Sequence, residues 1–118
     1  MVSIFNISKN TTIARRGSVA DSFLTRMVGL LNKKSLQPDE ALIITQCQSI
    51  HMFFMRFPID VIFVDKQGRV VGLVERIKPF RLSPIFFKSI YAIEVSEGAI
   101  VQTKTEIDDK IEIIKSNN

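Results

Sequence analysis

The stretch DVIFVDKQGRVVGLVERI, residues 60–77, decides the fold. Its first part is apolar at the consecutive positions 61–64, which is typical of a strand covered on both faces of a sheet. Residues 66–69 then predict a hairpin loop in which Gly68 supplies a positive φ. In the returning strand, Gly72 indicates a bulge or a close backbone approach. We therefore expect an antiparallel pair whose first strand lies in the sheet interior.

The rest of the chain carries similar signals. Alternating or mostly apolar runs predict further strands at 3–8, 11–15, 41–48, 91–96 and 110–115. From Asp21 the spacing becomes helical, with apolar residues at Phe23, Met27, Leu30 and Leu31. The segment 78–89 contains two prolines and is predicted to be a long apolar loop. These elements predict a mainly β domain, either a sandwich or a partly closed barrel with one short helix packed on it.

Length and composition limit the class of protein. A chain of 118 residues with 46% hydrophobic and 24% charged residues is typical of one globular domain, which we place over residues 1–118. Cys47 is the only cysteine, so no internal disulfide can form and an oxidising compartment is not indicated. The amino-terminal run lacks the features of a secretory signal, and no apolar run approaches the roughly 20 residues of a membrane helix. We expect a cytoplasmic protein without membrane insertion.

Charge is distributed unevenly along the chain. Residues 1–88 contain 13 Lys and Arg against 6 Asp and Glu, whereas residues 89–118 contain 3 against 6. A basic body could favour an anionic partner, although scattered solvated charges would give the same composition. The chain has no nucleic-acid-binding motif, so a nucleic acid is not the expected partner.

A second stretch, CQSIHMFFMRFPID at 47–60, places the only cysteine and the only histidine among aromatic residues. Cys47 and His51 stand four residues apart, which on a strand separates them by roughly 13 Å. Neither a shared metal ion nor a thiol–imidazole pair fits that distance. The chain also lacks a further Cys or His that could complete a metal site. We therefore predict no metal, no cofactor and no cysteine nucleophile.

The charged residues of this stretch leave alternatives open. Asp60 and Asp65 are five residues apart, so a regular strand directs them to opposite faces and excludes a catalytic pair of carboxylates. Asp60 could bind backbone N–H groups near the start of its strand or pair with Arg56. His51 is expected to be half-buried, either as a satisfied core residue or as part of a site.

The same residues resemble a known family. The run CQSIHMFFMRFPIDVIFVDKQGRVV is similar to the signature of the prokaryotic family of domain of unknown function 192, and ADSFLTRMVGLL and YAIEVSEG resemble its flanking elements. The resemblance spans roughly residues 20–98 and implies a compact, jelly-roll-like β fold with no established activity. The positions that match the family motif are Arg26, Gly29, Cys47, His51, Met55, Arg56, Pro58, Asp60, Asp65, Gly68, Pro79, Arg81 and Gly98.

The leading hypothesis is a non-catalytic binding module for a small polar or anionic ligand or a short protein segment, because charged groups in an aromatic run cost free energy unless they are paired or used. The predicted ligand-binding side chains are His51, Arg56, Asp60, Arg26 and Arg81. One alternative is a hydrolase-like enzyme in which His51 acts as acid and base while Asp60 orients it. The other is a structural or assembly protein that docks a partner through the apolar loop 84–90.

Overall fold

The computed structural model describes residues 1–21, 35–53 and 55–115. These residues form seven strands and one short helix. The elements are β1 (Val2–Asn6), β2 (Thr11–Ala20), β3 (Glu40–Thr45), β4 (Ile59–Asp65), β5 (Val70–Ile77), β6 (Ser89–Ser96), α1 (Ala99–Gln102) and β7 (Ile111–Lys115). The prediction of a mainly β fold is confirmed.

The strands form one mixed sheet in the order β5-β4-β6-β3-β2-β1-β7. Neighbouring strands are antiparallel except β2 and β3, which run parallel. The sheet curls until the start of β7 reaches the start of β5. There Ile111 N–H donates to the Gly68 carbonyl over 2.8 Å, and Val70 N–H donates to the Asp109 carbonyl over 2.9 Å. Of the two predicted forms, the partly closed barrel is the one observed.

The hairpin of residues 60–77 has the predicted form. β4 and β5 pair antiparallel, and Gly68 in their turn has φ 82°. At Gly72 a Cβ atom would come within 2.5 Å of the Phe86 ring, and that ring also stacks on Phe63 with centroids 4.6 Å apart. Of the two alternatives for Gly72, the bulge is observed, because Phe63 pairs with Gly72 and Val64 with Val70. The close neighbour of Gly72 is an aromatic side chain of the 78–89 segment rather than main chain.

The sheet has an apolar layer on each side. On the side that we call the helix face, α1 and β7 pack against residues of the sheet that include Ile62 and Val64. On the opposite side, the segment 47–57 and Phe86 pack against residues that include Phe63. Side chains alternate between the two sides along β4, so a strand with both sides covered requires apolar residues at every position of 61–64.

Two differences from the sequence predictions concern secondary-structure elements, and the predicted helix is untested. The predicted helix after Asp21 falls on residues 22–34, which lie outside the described residues. The helix that is observed, α1, follows Gly98 and has only four residues, too few to show a helical period. β2 continues to Ala20, beyond the predicted strand 11–15, because its second half pairs with β3. Such a pairing between distant segments leaves no local pattern in the sequence.

Candidate functional site

Two irregular segments cross the side of the sheet opposite the helix face and pair with each other. Met52 N–H donates to the Arg81 carbonyl over 2.8 Å, and Ser83 N–H donates to the Ile50 carbonyl over 2.9 Å. A third bond joins Phe86 N–H to the carbonyl of Gln48 over 2.8 Å. We call residues 47–53 and 80–86 together the ribbon. It contains three of the residues that the sequence analysis singled out for chemistry, Cys47, His51 and Arg81.

The ribbon has a buried side and a solvent side. His51 and Leu82 form an antiparallel bridge, so their side chains share one side while their neighbours along the chain take the other. Ile50 and Met52 are buried against the sheet, whereas Leu82 is 68% exposed. The alternation ends at a turn in which Met55 N–H donates to the Met52 carbonyl over 3.3 Å. This turn explains why Met52 and Met55 are both buried although they are three residues apart.

Large apolar side chains project into solvent from the ribbon and the residues that follow it. They are Phe53 (43% exposed), Phe80 (67%), Leu82 (68%), Ile85 (56%), Phe87 (78%) and Ile90 (44%). We call these six side chains the ribbon patch. They are half of the large apolar side chains that are exposed in the described part of the chain. Exposed apolar side chains are thus concentrated in the ribbon and the residues that follow it rather than spread evenly along the described chain.

An open depression of about 590 Å³ lies beside the ribbon patch. Its lining residues are Gln46, Cys47, Gln48, Ser49, Ile85, Ser89 and Ile90. Its rim is fixed by hydrogen bonds, since Gln48 Nε2 donates to the Phe87 carbonyl over 2.7 Å and Ser89 Oγ donates to the Cys47 carbonyl over 2.7 Å. The depression is therefore a fixed feature that joins the ribbon to the start of β6.

His51 and the predicted arginines lie on or near this surface. His51 is half-buried, and its ring lies against Phe53 with centroids 5.2 Å apart and planes at 32°. Arg56 and Arg81 are both exposed. Arg26 lies outside the described residues. The structure thus places a histidine and two cations around the ribbon and shows no enclosed polar pocket made by the described members of the set.

Asp60 has a different role. Its side chain is fully buried, and Oδ1 accepts a hydrogen bond from Arg76 N–H over 2.8 Å. Oδ2 accepts from the N–H groups of Gly98 and Ile100 over 3.2 and 3.0 Å. Of the two alternatives for Asp60, binding of backbone N–H groups is the one observed. This carboxylate joins β4, β5 and the start of α1, and therefore serves the fold rather than an open site.

Cys47 is buried and its thiol is close to main chain, with Sγ 3.1 Å from the Ser49 carbonyl oxygen. Within residues 1–21, 35–53 and 55–115, no three His, Cys, Asp or Glu side chains gather closely enough to hold a metal ion. In this part of the chain, no helix has the length and apolarity needed to cross a membrane.

The clearest shifts in pKa occur away from the ribbon. Burial alone would raise the pKa of Asp109, but hydrogen bonds from Asn6, Lys9 and Glu106 N–H outweigh it and hold that pKa below its usual value. The hydrogen bonds from Lys9 to the carboxylates of Asp109 and Glu106 raise the pKa of Lys9. Burial, aided by the negative charge of Asp65, raises the pKa of Tyr91 to about 12. The pKa shifts of Asp109, Lys9 and Tyr91 therefore reflect interactions within the folded domain and not a site on the ribbon.

Sequence reasoning missed two features of this region. It located the apolar loop at 84–90 but not the exposure of Phe53, Phe80 and Leu82, which depends on how the two segments pair. It also passed over Glu94, which is fully buried on β6 opposite Leu42 and Val61. The only signal for Glu94 was its central position in the apolar run of residues 91–96.

Comparisons with known proteins agree with the fold. A family model described as "Uncharacterized ACR", domain of unknown function 192, matches residues 5–113. A UPF0127 protein of Pyrococcus horikoshii is 40% identical over 114 residues, covering 92% of this chain and 96% of that protein.

Two solved structures are similar in fold. One, a protein of unknown function from Novosphingobium aromaticivorans, has a TM-score of 0.77 and 20% identity over 94% of this chain and 82% of its own. The other, from Sinorhizobium meliloti, has a TM-score of 0.74 and 19% identity over 94% and 90%.

Proposed function

Because the chain belongs to the family of domain of unknown function 192, whose description assigns no activity, we propose a function from the structure. The protein is a non-catalytic binding module that holds a short segment of another protein on the ribbon patch. The observation that carries this proposal is the exposure of six large apolar side chains on the ribbon and the residues that follow it, while neighbouring side chains of the ribbon are buried.

Covering the ribbon patch with a bound segment would contribute favourable free energy. Covering apolar surface gains roughly 25 cal/mol per Å², and aromatic side chains such as Phe80 and Phe87 are common anchors of protein interfaces. The depression next to Ile85 and Ile90 can accept a side chain of the bound segment. Because the ribbon is held by backbone hydrogen bonds, little ordering of this surface is needed on binding, which favours affinity.

The arrangement supports this function better than a small-ligand pocket or a hydrolase. The carboxylate of Asp60 is engaged by three main-chain N–H groups, and a hydrolase would need it to orient His51. A small anionic ligand would be held best by cations converging in an enclosed site, yet Arg56 and Arg81 are exposed. The docking alternative required exposure at 84–90, and Ile85, Phe87 and Ile90 provide it.

A peptide selection tests the proposal. A random library of 12-residue peptides is panned on the immobilised protein, and the Kd of an enriched peptide is measured by fluorescence anisotropy. We expect Leu82→Ser and Phe87→Ser each to weaken binding by about tenfold or more, as for central apolar contacts of an interface. Val101→Ser is the matched control, because Val101 is 62% exposed on α1. It should leave the Kd unchanged.

Two results would contradict the proposed function. One is a failure of the peptide experiment. Either no peptide is enriched on this protein more than on an unrelated immobilised protein, or Val101→Ser weakens binding as much as Leu82→Ser. The other is a rise in thermal midpoint with millimolar phosphate or citrate that is lost in His51→Ala and Arg56→Ala. That rise would favour a small anion as the ligand.

A further inference from the structure

Resting on the proposed function, we infer that the bound segment is acidic and lies extended beside Leu82, where it adds a short strand to the ribbon. The charge of the segment follows from the cations around the patch. Its conformation follows from the backbone of Leu82. The two observations are independent of each other and of the apolar contacts.

The two chain segments that build this surface contain no acidic residue. Between residues 41 and 59 and between residues 76 and 93 there is no Asp or Glu. The same two ranges contain five basic residues, all exposed, namely Arg56, Arg76, Lys78, Arg81 and Lys88. Two ranges that carry an apolar surface and exposed cations but no carboxylate complement a segment with carboxylates among apolar residues.

The backbone of Leu82 has an open edge. In the bridge between His51 and Leu82, the hydrogen bonds are made by the flanking residues, so the N–H and C=O groups of Leu82 point away from His51. Among the residues that the structure describes, none pairs with either group. An extended segment placed along this edge can exchange two main-chain hydrogen bonds with Leu82, which is how peptides add to exposed strand edges.

The edge is short, which limits the length of the added strand. Pro84 has no N–H to donate, and Phe80 leaves the extended conformation with φ 66°. Pairing is therefore confined to the immediate surroundings of Leu82, and prolines at such edges also prevent uncontrolled pairing between copies. The side chains on either side of the paired residue would then contact the patch and the basic residues next to it in sequence, Arg81 and Lys88.

The peptides enriched by the selection test the charge. We expect them to contain Asp or Glu. A synthetic version in which these residues are replaced by Asn and Gln should bind about tenfold more weakly, and raising NaCl from about 50 to 500 mM should weaken binding of the acidic version alone. Peptides without carboxylates that still depend on Leu82 and Phe87 would refute the acidic partner while leaving the proposed function intact.

Charge reversal on the protein tests the same point. The double variant Arg81→Glu/Lys88→Glu should weaken binding of the acidic peptide by about tenfold or more, with an unchanged thermal midpoint. Lys104→Glu is the control, because Lys104 is an exposed residue that follows α1. The inference would be overturned if the double variant weakened binding of the acidic peptide and of the peptide with Asn and Gln by the same factor.

The backbone pairing is tested separately. In a series of peptides that each carry one N-methylated backbone nitrogen, methylation at only one position should abolish binding. At that position the peptide N–H donates to the Leu82 carbonyl. On the protein, Leu82→Pro removes the outward N–H and should bind more weakly than Leu82→Ala, which loses only the side chain. If methylation is tolerated at every position, and the two variants bind alike with equal thermal midpoints, the segment does not pair as a strand.

Two other occupants of the patch would also overturn the inference. Cosedimentation with phosphatidylglycerol vesicles that is lost in Phe87→Ser would assign the basic and apolar surface to a membrane. A dimer by analytical ultracentrifugation that dissociates in Leu82→Ser would assign it to a second copy of the chain. We expect a monomer that does not sediment with the vesicles.

Discussion

The helix face and the ribbon use their polar and apolar groups in opposite ways. At α1, the buried carboxylate of Asp60 accepts three backbone hydrogen bonds. Nearby, Asp109 accepts from Asn6 and Lys9. In the ribbon patch, by contrast, apolar side chains such as Phe87 lie in solvent and the backbone of Leu82 has an open edge.

Under the proposed function, this difference places the groups that determine stability and those that bind the partner in separate regions of the molecule. A domain of this size keeps a net stability of about 5–15 kcal/mol, so removing a buried contact on the helix face has a measurable cost. Exposed side chains of the ribbon patch contribute little to that total. Substitutions should therefore fall into two classes, those that lower the free energy of unfolding and those that lower affinity alone.

The largest expected effect on stability is that of Asp60→Asn. The amide keeps one acceptor oxygen but turns its NH₂ group toward backbone donors, so at least one of the N–H groups of Arg76, Gly98 and Ile100 loses its bond. We expect the free energy of unfolding, measured by urea titration, to fall by about 2–4 kcal/mol. Glu97→Gln, which removes an exposed charge, should change it by less than about 0.5 kcal/mol. Equal effects of the two variants would show that the carboxylate is not structural.

Two consecutive phenylalanines, Phe86 and Phe87, allow a direct comparison of a core side chain with a side chain of the ribbon patch. Phe86 packs on Phe63 and Gly72, so Phe86→Ala should lower the free energy of unfolding by about 2–3 kcal/mol. Phe87 is 78% exposed, and Phe87→Ala should change it by less than about 0.5 kcal/mol. Both are measured by urea titration, with peptide affinity recorded in parallel. A loss of stability in Phe87→Ala would mean that the patch belongs to the core.

The smallest expected effect is the contribution of Asp109 to the pH dependence of the free energy of unfolding. Because the folded state lowers the pKa of Asp109, its ionised carboxylate stabilises the fold above the unfolded pKa of about 3.9. That contribution is lost as the pH falls through the folded value. In Asp109→Asn the free energy of unfolding should be lower at neutral pH and should fall less steeply below about pH 4. Parallel curves for the two proteins, from chemical denaturation at each pH, would contradict this role.

The sequence was most informative where structure is decided locally. The returning strand of the hairpin was predicted as residues 70–77 and is observed as Val70–Ile77, because a glycine turn and apolar runs specify it within eighteen residues. The partners of Asp60 could not be predicted in the same way. Gly98 and Ile100 are 38 and 40 residues away along the chain, and only the complete sheet brings them together.

The ribbon was predicted only in part for a similar reason. Strict alternation placed His51 and Met55 on one face, but the turn at Met52 breaks the alternation and buries Met55. The exposure of Leu82 depends on pairing with a segment about thirty residues earlier. An apolar loop between two prolines could be read from the sequence, whereas the direction of its side chains required the structure.

The pairing of β1 with β7 has a consequence for synthesis. The first strand is hydrogen-bonded to the last, with Val2 opposite Lys115. During translation, β1 therefore keeps an unpaired edge until residues 111–115 have left the ribosome, when about a hundred residues have already emerged. The barrel can close only after β7 has emerged, and chains that stop before β7 would be prone to associate through the free edge of β1.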